Sequence, residues 1–298
     1  MHLNSLARLV SLKAFTIALS VGCTPHHISP DRADNASSPT RDANLTMGNP
    51  SEAANTDFTN YLIDQGTYVV GYNAGKGIPN WVSWHLSNAW KGTASRYSGR
   101  FITNTTLPTG MSRITHDDYS TDFDRGHLCP SDDRDSTAVE NRSTFLLTNV
   151  APQAPRANRQ TWYRLEDYTR KLIDQRNKCY IIAGTYGQGG MGDKGLVQKL
   201  SDGKLTIPAA FWKVIVVLPV GDNDIQRIND QTRVIAVWMP NDKVISSQKW
   251  AEFRVSVDYI EQRTGYNLLS SVAEEVQRII ESRQDKTVIN SWLESYSL

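Results

Sequence analysis

The chain has 298 residues, with Lys+Arg 32 against Asp+Glu 31 and a net charge of +1. Hydrophobic content of 39% and aromatic content of 9% are enough for a core and exclude a wholly disordered or collagen-like polymer. No apolar run approaches the ~20 residues of a membrane-spanning helix, near-zero charge argues against holding phosphate by bulk positive potential, and length alone, at about 150 residues per domain, suggests two domains.

The first 55 residues contain no Trp and no Tyr, although the whole chain has 8 and 12. Arg8 and Lys13 precede an apolar stretch from Ala14 to Gly22 and then Cys23. A charged start, a short apolar stretch and small residues before a cleavage point predict a secretory signal over 1–23, and hence an extracytoplasmic protein. Ser20-Val21-Gly22-Cys23 also resembles a bacterial lipoprotein processing site, which would anchor the chain to a membrane through acylated Cys23; an ordinary cleaved signal is the alternative. Residues 24–55 are rich in Pro, Ser, Asn, Asp and Ala, with Ile28, Leu45 and Met47 as their large aliphatics, and predict a flexible tether. The domain expected to fold is therefore 56–298.

Within it, Tyr68–Tyr72 and Trp81–Leu86 have the β-branched and aromatic density of strands. A further strand is expected over Thr144–Leu147. After Pro155, the spacing of Trp162, Leu165, Tyr168, Thr169, Leu172 and Ile173 predicts a helix. Cys179–Ala183, Trp212–Leu218 and Arg233–Met239 read as three more strands, and Val257–Gly265 and Val272 to about Arg283 as C-terminal helices. Strands dominate and helices do not alternate with them, so the class is α+β with a largely antiparallel sheet flanked by helices. Cys129 and Cys179 are the two cysteines of the folded part, and two cysteines in an exported domain predict a disulfide; two buried thiols are the alternative.

Gly187-Gln188-Gly189-Gly190-Met191-Gly192 fits G-x-G-x-x-G, but Asp193-Lys194-Gly195 follows instead of a helix, so it reads as a hairpin loop. The informative stretch is Asp124-Arg125-Gly126-His127-Leu128-Cys129-Pro130-Ser131, where Gly126 allows close backbone approach beside a histidine. Downstream come Thr148-Asn149, Pro152-Gln153, Asn158-Arg159, Trp162, Leu165-Glu166 and Arg170. On a helix Glu166 and Arg170 are i,i+4 neighbours, so carboxylate, guanidinium and amide gather along one edge.

This ordered series resembles the DNA/RNA non-specific endonuclease family, the sugar-non-specific nucleases of the ββα-metal (His-Me finger) superfamily. The resemblance extends upstream to Asn80–Trp84 and Arg96 and downstream to Val257-Asp258 and Thr264-Gly265-Tyr266, covering about 58–285. It implies a ββα-metal fold and a divalent-metal-dependent endonuclease that cuts DNA and RNA to leave 5′-phosphate ends. His127 would be the general base. Asn158 would be the direct ligand of one ion, Mg²⁺ with Mn²⁺ as a substitute, and Glu166 would hold the ion's water. Arg96 would clamp phosphate, with nearby Arg100 as the competing assignment. Asn149 would support the histidine and the site geometry. Asp124, Arg125 and Arg170 would orient the loop and meet the nucleic-acid backbone, and Arg159 would contact nucleic acid or be a solvated charge.

Two other readings stand beside this one: a catalytically inactive surface protein that binds or takes up nucleic acid, and a phosphodiesterase acting elsewhere. An inhibitor protein as partner stays open, as does oligomeric state. Residues 151–180 hold Arg156, Arg159, Arg164, Arg170, Lys171, Arg176 and Lys178 against Glu166, Asp167 and Asp174, a local 7 − 3 = +4. A neutral total thus hides a basic segment suited to a polyanion.

Overall fold

Continuous burial along the long apolar runs builds the centre of the molecule. The computed structural model describes residues 38–119 and 122–289; the expected leader over 1–23, with Cys23, lies outside the described residues. In chain order the strands are β1 Tyr61–Asp64, β2 Val69–Asn73, β3 Ile78–Leu86, β4 Asp124–His127, β5 Val150–Gln153, β6 Asn177–Tyr186, β7 Gly190–Gly192, β8 Gly195–Val197, β9 Lys199–Leu200, β10 Leu205–Thr206, β11 Ala210–Pro219, β12 Arg233–Pro240 and β13 Arg254–Val255. The helices are α1 Ala138–Ser143, α2 Tyr163–Asp174, α3 Asp224–Arg227, α4 Val257–Thr264 and α5 Glu274–Ile280.

Seven strands form one sheet in the order β1-β2-β3-β6-β11-β12-β13, with antiparallel pairing throughout. Alternate residues of β6 enter different cores: Cys179, Ile181 and Ala183 pack on one side, Tyr180 and Ile182 on the other. The first side is covered by α2, which buries Leu165, Tyr168, Thr169, Leu172 and Ile173 at helical spacing. The second is covered by α4, through Val257 and Ile260, and by Leu268, Leu269 and Met47. Both faces being covered explains why the central strands are apolar without alternation.

Three expectations are corrected. The segment expected as a tether through 55 packs against the sheet from about residue 40. Met47 and Ala53 are buried, Ser83 Oγ donates to Asn44 O at 2.6 Å, and Lys178 donates to Asp42 at 2.7 Å. Polar side chains dock this segment, which is why its low apolar content misled. The expected Cys129–Cys179 disulfide is absent: both thiols are free and buried in the same apolar cluster. They serve as small core side chains, and burial pushes the Cys129 thiol up to about 12. Thr144–Leu147 is not a strand. Thr144 Oγ1 donates back to Asn141 O at 2.7 Å, and a 3₁₀ turn over Leu147–Asn149 follows.

The other expected strands and helices fall where the spacing put them, as β2, β3, β6, β11, β12, α2, α4 and α5. The glycine-rich stretch is the hairpin of β7 and β8, not a phosphate cradle.

Candidate active site

β4, β5 and the helix after Pro155 form a ββα unit against the first face of the sheet. His127 pairs with Val150, and Asp124 with Gln153. Gly126 is required by this pairing, because a Cβ there would lie 2.8 Å from Gln153 Cβ. Asn149, fully buried, donates from Nδ2 to Cys129 O at 2.9 Å and to Thr144 O at 2.8 Å. Its Oδ1 accepts from Cys129 N at 3.0 Å. Asn149 therefore pins the loop after the histidine and does not line the cleft; it is a positioning residue.

The helix opens with a π-helical stretch over Ala157–Trp162 before α2 begins. Such widened turns are frequent at functional sites, and this one carries Asn158 and Arg159 on the exposed side while Trp162 stays in the core. Asn158 Nδ2 donates to Asp124 Oδ2 at 2.9 Å, and Arg159 grips both Asp124 oxygens at 2.8 and 2.6 Å. A carboxylate only accepts, so Asp124 fixes which way the Asn158 amide faces and leaves Oδ1 as its free acceptor.

An open pocket of about 360 Å³ is lined by Arg96, Arg125, His127, Pro130, Ser131, Asp132, Asn158, Arg159, Tyr163 and Glu166. The His127 ring sits against Phe145 and Phe101, with ring centres at 4.8 and 5.1 Å. Its Nε2 is buried and has no hydrogen-bond partner. Burial first, then Arg96, push the imidazole down to about 3, so it is neutral at ordinary pH. Arg96 lies over Phe145 at 5.0 Å and donates to Ser131 Oγ. Arg100 pairs with exposed Asp117 instead, and of the two arginines only Arg96 lines the pocket.

Arg125 donates to His116 O at 2.7 Å and stacks over Tyr119 at 5.2 Å, and burial lowers its proton affinity. Glu166 lies 3.4 Å from Lys213, a lysine buried in β11 between Trp162 and Trp84. Burial raises the Glu166 carboxyl, while Lys213 and Arg170 oppose that rise. Arg170 does not itself line the pocket; it pairs with buried Asp133 at 3.3 Å and reaches the pocket-lining Asp132 at 4.0 Å.

Among the described residues no three His, Cys, Asp or Glu groups converge in this pocket as a ready metal cage. A cation here would rest on the Asn158 amide oxygen, with Glu166 near by and water elsewhere. That donor set fits a hard ion such as Mg²⁺, which keeps most of its waters.

Sequence reasoning missed Asp132, Tyr163, Lys213 and the role of Ser131. Lys213 had a signal, a charge inside the apolar run Trp212–Leu218; the others had none before the loops closed.

The model of the DNA/RNA non-specific endonuclease family matches residues 48–275. A nuclease of Nostoc sp. is 42% identical over 275 residues, covering 91% of this chain and 96% of its own. A nuclease of Serratia marcescens is 27% identical, covering 80% and 85%. In fold, the chain aligns with a crystal structure of an EndoG/EndoGI complex at TM-score 0.64 and 21% identity, covering 78% of this chain and 92% of that one.

Proposed function

The chain belongs to the DNA/RNA non-specific endonuclease family of phosphodiester-cleaving enzymes, and on that premise we propose that His127 is its general base in hydrolysing both DNA and RNA. The carrying observation is a neutral imidazole with an unpartnered Nε2, set in a cleft between three arginines, an amide oxygen and two carboxylates. His127 takes a proton from water as that water attacks phosphorus; the bond to the 3′ oxygen breaks and that oxygen takes a proton from a second water, leaving 5′-phosphate and 3′-hydroxyl ends. Burial, the larger cause of the low proton affinity of His127, persists in the complex, but a phosphate on Arg96 offsets the smaller one and places an anion beside the ring, and both effects raise its proton affinity.

Arg96 and Arg125 grip phosphate oxygens, which carry no base information, in keeping with sequence indifference. Asn158 Oδ1 would hold Mg²⁺, or Mn²⁺ in its place, and Glu166 would orient its water. The bound ion supplies Lewis-acid neutralisation of the phosphate charge. Asp124 keeps the Asn158 amide turned and Arg159 drawn in. Export rests on the leader-like sequence alone, and N-terminal sequencing of the mature protein tests it.

The decisive experiment incubates supercoiled plasmid and RNA with wild type and His127→Ala, with and without EDTA. Loss of the base lowers kcat by ~10²–10⁴-fold, and EDTA abolishes cleavage. Equal, metal-independent activity in both proteins overturns the mechanism. Binding without cleavage by wild type supports a surface nucleic-acid-binding protein instead. Asp124→Asn should raise the Mg²⁺ concentration needed for half-maximal rate by about 10–100-fold, read from a Mg²⁺ titration.

A further inference from the structure

On the face opposite the cleft, α4 and the end of α5 bring three carboxylates together. Asp258 and Glu261 stand three residues apart on one side of α4, and Glu281 caps the C-terminal end of α5. Carboxylate oxygens of all three lie within 4.8 Å of one another. Asp258 is exposed, Glu261 intermediate and Glu281 only 6% exposed. The Glu281 Oε1 atom is buried with no hydrogen-bond partner. No ion pair links any of the three to a basic side chain among the described residues. The groups meet because Asp258 N donates to Glu281 O at 3.1 Å, and Glu261 Oε1 accepts from Leu268 N at 2.7 Å.

Three like charges around a buried, unsatisfied oxygen oppose folding unless something neutralises them. We propose that Asp258, Glu261 and Glu281 form a structural Ca²⁺ site that clasps α5 to α4. An all-oxygen set with no His or Cys selects a hard cation. Two oxygens held at about 2.4 Å by one Ca²⁺ lie up to about 4.8 Å apart, and water completes its flexible shell. Burial, then Glu261 and Asp258, push Glu281 up to about 8, the expected strain of this cluster without a cation. Asp258 and Glu261 lie within the residues matched by the family model and Glu281 just beyond them, so the site would tie the segment after the matched region to α4.

The test is thermal unfolding of the full chain in CaCl₂ against EDTA, with calorimetric Ca²⁺ titration. Wild type should gain roughly 5–10 °C in Tm at a hundredfold excess over Kd. Asn158→Ala should keep the whole gain, which separates this site from the cleft. Glu281→Gln should lose it while melting in EDTA no lower than wild type, because the substitution removes a buried like charge; Asp258→Asn, at an exposed position, should lose most of it. No gain in wild type, or an equal gain in Glu281→Gln, overturns the proposal. An EDTA melt unchanged by Ca²⁺ would mean that Glu281 is held by a proton alone, and would equally overturn it.

Discussion

Two lysines, each 1% exposed, are buried in neighbouring strands of the same sheet, and they do different work. Lys178, at the start of β6, faces the N-terminal segment and contacts Asp224 at 2.5 Å and Asp42 at 2.7 Å. Tyr180 donates to both carboxylates. Lys213, in β11, faces α2 and meets one carboxylate, Glu166, at 3.4 Å. A buried cation with two close partners acts as a clamp. A buried cation with one loose partner, itself lining a cleft, sets that partner's proton affinity. The first stabilises the fold; the second tunes a site.

The sharpest way to break this comparison is Lys178→Met. It takes the buried cation from Asp42 and Asp224, which keep His85, Arg227 and Tyr180, and breaking a buried pair costs about 3–5 kcal/mol, a Tm loss of roughly 6–20 °C. Plasmid cleavage at 25 °C should stay near wild type. A kcat loss matching that of His127→Ala would show that the clamp is not merely structural.

Next in size is a pH effect on stability. His85, which stacks on Tyr180 beside the clamp, is pushed by burial from 6.5 to about 4. Its folded state therefore binds fewer protons than its unfolded state between those values, so stability rises with pH from about 4 to 6.5 and is lost on acidification. The full swing is up to about 3 kcal/mol. His127, held down to about 3, acts with the same sign. Urea unfolding across this window should show a shallower slope in His85→Asn than in wild type, and an unchanged slope would remove His85 from the account.

Smallest is Lys213→Met, a swap of similar volume. Glu166 escapes the lost partner by taking a proton, so stability should fall by only about 1–2 kcal/mol. Lys213 opposes the burial that raises Glu166; without it the carboxyl rises further, and the acid limb of the kcat–pH profile should move up. A melting loss as large as that of Lys178→Met, with no movement of the acid limb, would erase the distinction between the two lysines.

Much of this was legible in one dimension. The long apolar runs became β3, β6, β11 and β12, because a strand buried on both faces needs no partner to announce itself. The spacing from Trp162 to Ile173 gave α2, since a helix face is set by local geometry. Asp124, His127, Asn158 and Glu166 could be named from order and residue type, and the fold brings them to one cleft or its rim. Other features depended on which surfaces meet. Composition marked residues 40–55 as unable to fold, yet they dock through Asp42 and Asn44 onto side chains 39 or more positions away. The two cysteines share a core without bonding, and Arg170 pairs with buried Asp133, 37 positions away. The sequence by itself determined the elements and the chemistry available, because both follow from residue type and local spacing. Only the tertiary structure decided which buried charges are matched, as those of Lys178 are, and which are left short of partners, as at Glu166 and Glu281, because partnership between charges is a property of distances that the chain order does not contain.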